Sequence, residues 1–98
     1  MRIAIASEGK NEDSEISSRG ARALFYLVFD DGKLTETIKN PFAVGSGGAG
    51  WSVAYMLADK NIDLVVAEKF GPNMEIALKQ KKLKFKEASG KVREFVKG

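Results

Sequence analysis

The longest apolar run in the chain, Ala23-Leu24-Phe25-Tyr26-Leu27-Val28-Phe29, is rich in aromatic and branched residues and predicts a central strand. Ile3-Ala4-Ile5-Ala6, bounded by Ser7 and Glu8, is a shorter run that reads as a strand buried on both faces. Between the two, Glu8 to Arg22 is polar, rich in charge, serine and glycine, and has no period. A stretch of that length belongs to the class of functional or mobile loops. Asp30-Asp31-Gly32 follows the long run and signals a tight hairpin, because glycine accepts positive φ without penalty. The partner strand is Lys33 to Lys39. Lys33, Thr35, Thr37 and Lys39 fall on one face, with Leu34, Glu36 and Ile38 on the other. A strand with so many polar positions suits a sheet edge.

Asn40-Pro41 ends that strand, and Gly45-Ser46-Gly47-Gly48-Ala49-Gly50 opens a helix running to about Lys60. Trp51, Ala54, Tyr55 and Ala58 share one stripe of it, extended by Val53 and Leu57. Ile62 to Ala67 is a second interior strand. Gly71-Pro72-Asn73 starts another helix, with proline where its missing N–H costs nothing. Met74, Ala77, Leu78 and Lys81 lie on one face of that helix. Leu83 and Phe85 alternate with Lys82, Lys84 and Lys86 in a short strand, and Ser89 or Gly90 caps a final helix with Val92, Phe95 and Val96 inward. The order β-β-β-α-β-α-β-α predicts a single α/β domain over residues 1–98. Its expected core is a mixed five-stranded sheet in the order 3-2-1-4-5, with only the second strand antiparallel and helices covering the sheet.

Composition narrows the chemistry. The 98 residues include 16 basic and 13 acidic ones, a net charge of +3. There is no cysteine, which excludes disulfides, thiolate zinc sites, cysteine nucleophiles and iron–sulfur ligation by protein thiolate. Histidine, the usual metal ligand and near-neutral general base, is absent too. No apolar run approaches the ~20 residues that span a bilayer, and the N-terminus lacks a signal-peptide plan, so a cytoplasmic location is expected.

Gly45, Gly47 and Gly50 satisfy G-x-G-x-x-G, and Glu68 lies 18 residues beyond, as in a dinucleotide fingerprint. Against it, Pro41 and a polar edge strand stand where a buried parallel strand belongs, and the chain is too short for both halves of a dinucleotide domain. A close-packed turn and an anion site at a helix N-terminus remain as readings. Topology favours the second. Crossover helices place their N-termini at the C-terminal end of the strands, where the Glu8–Arg22 loop also arrives with Arg19 and Arg22. The candidate crevice for a small anionic ligand therefore comprises Ser7, Arg19, Arg22, Gly47, Gly48, Ala49, Gly50, Gly71 and Asn73. The lysines from Lys79 to Lys86, interleaved with Phe85, resemble a nucleic-acid footprint, but lysine on an edge strand is an ordinary block to strand pairing. Nucleic acid and nucleotides are thus the less favoured partners. The carboxylates Glu8, Glu12, Asp13, Glu15 and Glu68 accompany no nucleophile motif, so no catalytic or metal residue is assigned.

Met1–Ala6, Ser14–Arg22, Gly48–Trp51 and Phe70-Gly71-Pro72-Asn73 resemble the dinitrogenase iron-molybdenum cofactor biosynthesis family, as a small stand-alone member of the NifX and NifB C-terminal type. The likeness extends over nearly the whole chain. It runs from the I-A-I-A-S-E-G-K start through Asp13-Ser14-Glu15-Ile16-Ser17, Arg19, Arg22 and Ala23 to Asn40-Pro41, Gly48-Ala49-Gly50, Gly71-Pro72-Asn73 and Gly90. The resemblance implies a ribonuclease-H-like fold and the binding or carrying of iron–sulfur-type cofactor precursors in nitrogenase cofactor assembly. The chain departs from the pattern at Arg19-Gly20-Ala21-Arg22, where the usual segment is Arg-Phe-Gly-Arg, and at Gly47, where members often carry a histidine. The resulting expectation is a non-enzymatic carrier, monomeric or weakly dimeric, that works with cofactor-assembly proteins and no membrane. It binds no cofactor tightly and holds an iron–sulfur-type cluster weakly. The competing expectation is a protein–protein interaction module without a small ligand.

Overall fold

Alternation in the central strands sorts the apolar residues onto two faces of one sheet, and both faces are covered. The computed structural model describes residues 1–45 and 47–98. Its strands are β1 (Arg2–Ser7), β2 (Phe25–Asp30), β3 (Lys33–Lys39), β4 (Leu64–Ala67) and β5 (Lys84–Glu87), with helices α1 (Ala49–Asp59), α2 (Pro72–Gln80) and α3 (Val92–Lys97). The spatial order is β3-β2-β1-β4-β5. β2 pairs antiparallel with β1 and β3, whereas β1/β4 and β4/β5 are parallel. The order and the single reversed strand agree with the sequence reading.

Ala4, Ala6, Tyr26, Val28, Val65 and Ala67 face α1 and α2 and meet Val53, Ala54, Leu57, Met74, Ala77 and Leu78 in the larger core. On the opposite face Ile5, Leu27, Phe29 and Val66 pack with Ile16, Val92, Phe95 and Val96. The β2–β3 turn uses positive φ at both Asp31 (48°) and Gly32 (86°), the combination that follows the right-handed twist of a hairpin. Arg2 ties the far end of the sheet together, with Nη1 2.6 Å from Asp30 Oδ2 and Nη2 3.3 Å from Glu36 Oε1.

Several details differ from the sequence reading. β2 starts at Phe25 and β4 at Leu64, because Leu24 is exposed and Asp63 instead accepts the Arg2 N–H. On α1 the buried stripe is Ala49, Val53, Ala54 and Leu57. Tyr55 stands outside it, edge-on to Trp51, with the Lys81 ammonium 4.5 Å from its ring centre. The final helix is capped at Lys91, whose N–H donates to Glu94 Oε1, and neither Ser89 nor Gly90 takes that place.

The polar stretch after β1 is tethered along much of its length. Ser7 and Ile16 form an antiparallel bridge, as do Glu15 and Lys91. The Val92 and Arg93 N–H groups, which an isolated helix start leaves unpaired, donate to the carbonyls of Ser14 and Glu12 at 3.0 and 2.8 Å. The first half of the loop thus serves as the cap of α3.

Candidate functional site

The site begins with two helix starts brought close together. A Cβ on Gly50 would lie 2.9 Å from the Met74 backbone nitrogen, so only glycine allows α1 and α2 to cross this near their N-termini. Gly48 precedes α1 in the left-handed region (φ 89°), and neither helix has a side-chain cap. The first N–H groups of α1, which carries no acid in its first turn, lie at the C-terminal end of the sheet with the positive end of the helix dipole.

The arginine-bearing loop is pinned across the C-terminal ends of β1 and β4 by backbone bonds. Ser17 N–H donates to Ala6 O, Glu68 N–H to Ser17 O, and Gly20 N–H to Lys69 O, at 2.8, 2.9 and 3.0 Å. Tyr26, fully buried, donates its hydroxyl to Gly20 O at 2.7 Å, and burial pushes its phenol well above the usual range. Gly20 sits so close that a Cβ there would meet Met74 Sδ and Phe70 Cδ1 at 3.0 Å. Asn40, also buried, joins this loop to the next. Its Nδ2 donates to Ala21 O (3.1 Å) and Ala23 O (2.8 Å), while its Oδ1 accepts the Phe42 N–H at 3.0 Å. Half-buried Arg22 adds a bond from Nη1 to Phe42 O at 3.1 Å. Arg19 is exposed.

Between these walls lies a cleft of about 370 Å³ lined by Ser18, Arg19, Gly20, Ala21, Arg22, Gly48, Ala49, Gly50, Lys69, Phe70 and Gly71. Three of those residues are cationic and none is acidic. Of the residues selected from sequence, Arg19, Arg22, Gly48, Ala49, Gly50 and Gly71 border this cleft. Gly47 borders an adjoining hollow of about 190 Å³ that shares Arg22, Gly48 and Ala49. Ser7 does not reach either space: its buried hydroxyl donates to Gly9 O at 2.8 Å. Asn73 is exposed on α2 outside the lining.

Lys69, Phe70 and Gly20 escaped the sequence reading. The available signal for Lys69 was its place two residues after the end of β4 and three before the start of α2, at the C-terminal end of the sheet. The loop carboxylates sit elsewhere. Asp13 bonds to Arg93 Nε at 2.8 Å, and that bond and charge hold its carboxyl below the usual range. Among the described residues no three His, Cys, Asp or Glu side chains are grouped to hold a metal ion, and no helix is long and apolar enough to cross a membrane. A wider hollow of about 550 Å³ beside Phe42, Tyr55 and Met56 is mostly apolar and gathers no comparable set of cations.

Residues 1–98 match the family model described as dinitrogenase iron-molybdenum cofactor. The chain is similar to the apo form of the orange protein from Desulfovibrio gigas, at 29% identity and a TM-score of 0.90, covering 98% of this chain and 83% of that one. It is also similar to a protein from Thermotoga described as a NifB protein, at 31% identity and a TM-score of 0.81, covering 98% and 84%. No curated protein matches the sequence.

Proposed function

The chain belongs to the dinitrogenase iron-molybdenum cofactor family, and from that premise we propose that it is a non-enzymatic carrier whose cargo is an anionic iron–sulfur-type cofactor precursor, seated in the cleft between Arg19, Lys69 and the start of α1. The observation that carries this reading is the convergence of Arg19, Arg22 and Lys69 with an uncapped helix start in a lining without a single acid. Family membership supports the cofactor-related role, and a relative known in an apo form suits a removable ligand.

The donor set fits a cargo that arrives assembled. Guanidinium forks, an ammonium and backbone N–H groups stabilise negative charge and donate to sulfide or oxide atoms on a cluster surface. They offer no sulfur or imidazole nitrogen to iron, since the chain has no Cys or His. Building a cluster here from iron and sulfide would need carboxylates, and none lines the cleft. A side chain on Gly48 would enter open space, so its absence leaves the cargo a direct approach to the backbone at the start of α1.

The test uses two probes, inorganic phosphate and a synthetic anionic iron–sulfur cluster, titrated anaerobically at low ionic strength. Arg19→Ala and Lys69→Ala are expected to weaken both probes by about tenfold each, the scale of one exposed charge-assisted contact. High salt should release them, because a partly open electrostatic site is screened. Equal affinities for the wild-type and variant proteins would refute the site.

A further inference from the structure

Five lysines, Lys79, Lys81, Lys82, Lys84 and Lys86, crowd the end of α2 and strand β5, and all are exposed. No acid occurs between Lys79 and Lys86. Among the described residues none of the five enters an ion pair; the pairs formed are Met1–Asp31, Arg2–Asp30, Arg2–Glu36, Lys60–Glu36 and Arg93–Asp13. Like charges at this density repel one another, so an anionic surface placed against them gains affinity that a balanced surface would not provide.

The lysines also sit on a specific backbone feature. β5 is the terminal strand of the sheet and has β4 as its single neighbour. Lys84 and Lys86 pair in register with Leu64 and Val66, which places both on the α3 side of the sheet, two residues apart on one face. The Lys86 ammonium lies 5.8 Å from the Phe95 ring centre, a contact that limits its wandering. An unpaired edge is a template for another strand. A second copy of β5 would bring lysine to lysine and is refused. A strand with acids at alternate positions meets the opposite sign, at a cross-strand Cβ separation of about 4.5–5.5 Å that ammonium and carboxylate easily span.

Nucleic acid fits the same surface less well. Single strands are held by rings that stack on bases, and Phe85, the one aromatic residue in the run, is turned inward against Phe70 with centroids 5.2 Å apart. We propose that the outer edge of β5 is a docking site for an extended acidic segment of a partner protein, which adds as a sixth strand with its carboxylates facing Lys84 and Lys86. The α2–β5 turn lies at the opposite end of the sheet from the cleft, so the proposal stands independently of the cargo reading.

The test is fluorescence anisotropy of the full chain with a labelled peptide of alternating Glu and Val. Comparison probes are the Lys/Val peptide, the Glu/Val peptide N-methylated at alternate residues, and single- and double-stranded oligonucleotides. Saturable binding of the Glu/Val peptide is expected. Binding should weaken about tenfold in the Lys84→Glu/Lys86→Glu variant, where two attractive cross-strand pairs become repulsive. It should also fail with the N-methylated peptide and persist in a Lys33→Glu/Lys39→Glu control at the other edge. Undiminished binding of the N-methylated peptide would reduce the surface to a charge patch and overturn strand addition. Tighter binding of either oligonucleotide, lost in the same variant, would assign the surface to nucleic acid and overturn it equally. Absence of saturable Glu/Val binding at low salt would also end the proposal.

Discussion

Replacing Asn40 with alanine removes the clamp between the two loops that wall the cleft. The side chain is 4% exposed and makes three bonds, two from Nδ2 to the Ala21 and Ala23 carbonyls and one accepted by Oδ1 from Phe42 N–H. Its backbone bonds, N–H to Leu24 O and the carbonyl to Ala43 N–H, survive the change. Each lost bond is worth about 0.5–1.5 kcal/mol net, and a buried carbonyl left without a donor raises the cost further. Relaxation that lets water reach Ala21 O lowers it, so about 2–4 kcal/mol is expected in total. For a domain of this size that is a fall in Tm of roughly 8–32 °C, at about 4–8 °C per kcal/mol. Urea unfolding followed by Trp51 fluorescence measures it, with an unchanged m-value showing that the native surface is intact. Asn40→Asp keeps the acceptor but loses both donors and buries a charge beside two carbonyls, so its loss should be at least as large. A loss below about 1 kcal/mol in both variants would refute the clamp.

Gly50→Ala should cost about 1–3 kcal/mol, because the new methyl group meets the Met74 backbone nitrogen at 2.9 Å and the helices must part. Adding Met74→Ala should not rescue it, since the clash is with main chain; thermal unfolding of the single and double variants decides. Asp13 has its carboxyl pKa lowered from 3.8 by the hydrogen bond and charge of Arg93. Its contribution to holding α3 is therefore complete above pH 3.8 and lost as the pH falls through the lower folded value. Amide exchange at Val92 and Arg93 should show that acid loosening in the wild type and not in Asp13→Asn. The Tyr26 phenol is raised by burial, so alkaline absorbance titration should show no ionisation of Tyr26 while the protein stays folded. Tyr26→Phe should cost about 1–2 kcal/mol by leaving Gly20 O without its donor. Unchanged stability in that variant would show that water replaces the hydroxyl.

The strand order was legible because two local signals leave few topologies open. Asp31-Gly32 forces a neighbouring antiparallel pair, and two helical crossovers with right-handed connections place β4 and β5 beyond β1. Side-chain placement on α1 was less legible. Trp51, Tyr55 and Ala58 satisfy helical spacing as well as Val53 and Leu57 do, and periodicity ranks them equally. Packing against α2 ranks them: the close crossing at Gly50 turns the Ala49-Val53-Ala54-Leu57 side fully inward, Trp51 and Ala58 pack half-buried against the same core, and Tyr55 is left for Lys81. The cap of α3 was illegible for a similar reason. Its donors are satisfied by carbonyls of Glu12 and Ser14, some eighty residues earlier, and carbonyls leave no trace in residue identity.

The cleft divides in the same way. Arg19, Arg22 and the Gly48–Gly50 turn could be gathered on paper because topology sends helix starts and strand ends to one side of the sheet. Ser7 shares that strand end yet turns to Gly9, and Asn73 shares the helix start yet points outside the lining, because topology fixes which end a residue occupies and not which way its side chain goes. Lys69 shows the converse. A single lysine after a strand carries no pattern, and its place in the cleft lining follows from its carbonyl accepting the Gly20 N–H, which draws the two segments together. The walls are thus held at main-chain groups of Gly20, Ala21, Ala23 and Phe42, bonded to the Lys69 carbonyl and to the buried Tyr26 and Asn40 side chains, while exposed Arg19 and Lys69 supply charge from their rims. Charge at these two positions can change without cutting a hydrogen bond that holds the walls. Under the proposed carrier role, selectivity for the cargo could therefore be retuned while the fold stays fixed, and Arg19→Ala and Lys69→Ala should alter phosphate binding with little loss of stability, in contrast to Asn40→Ala.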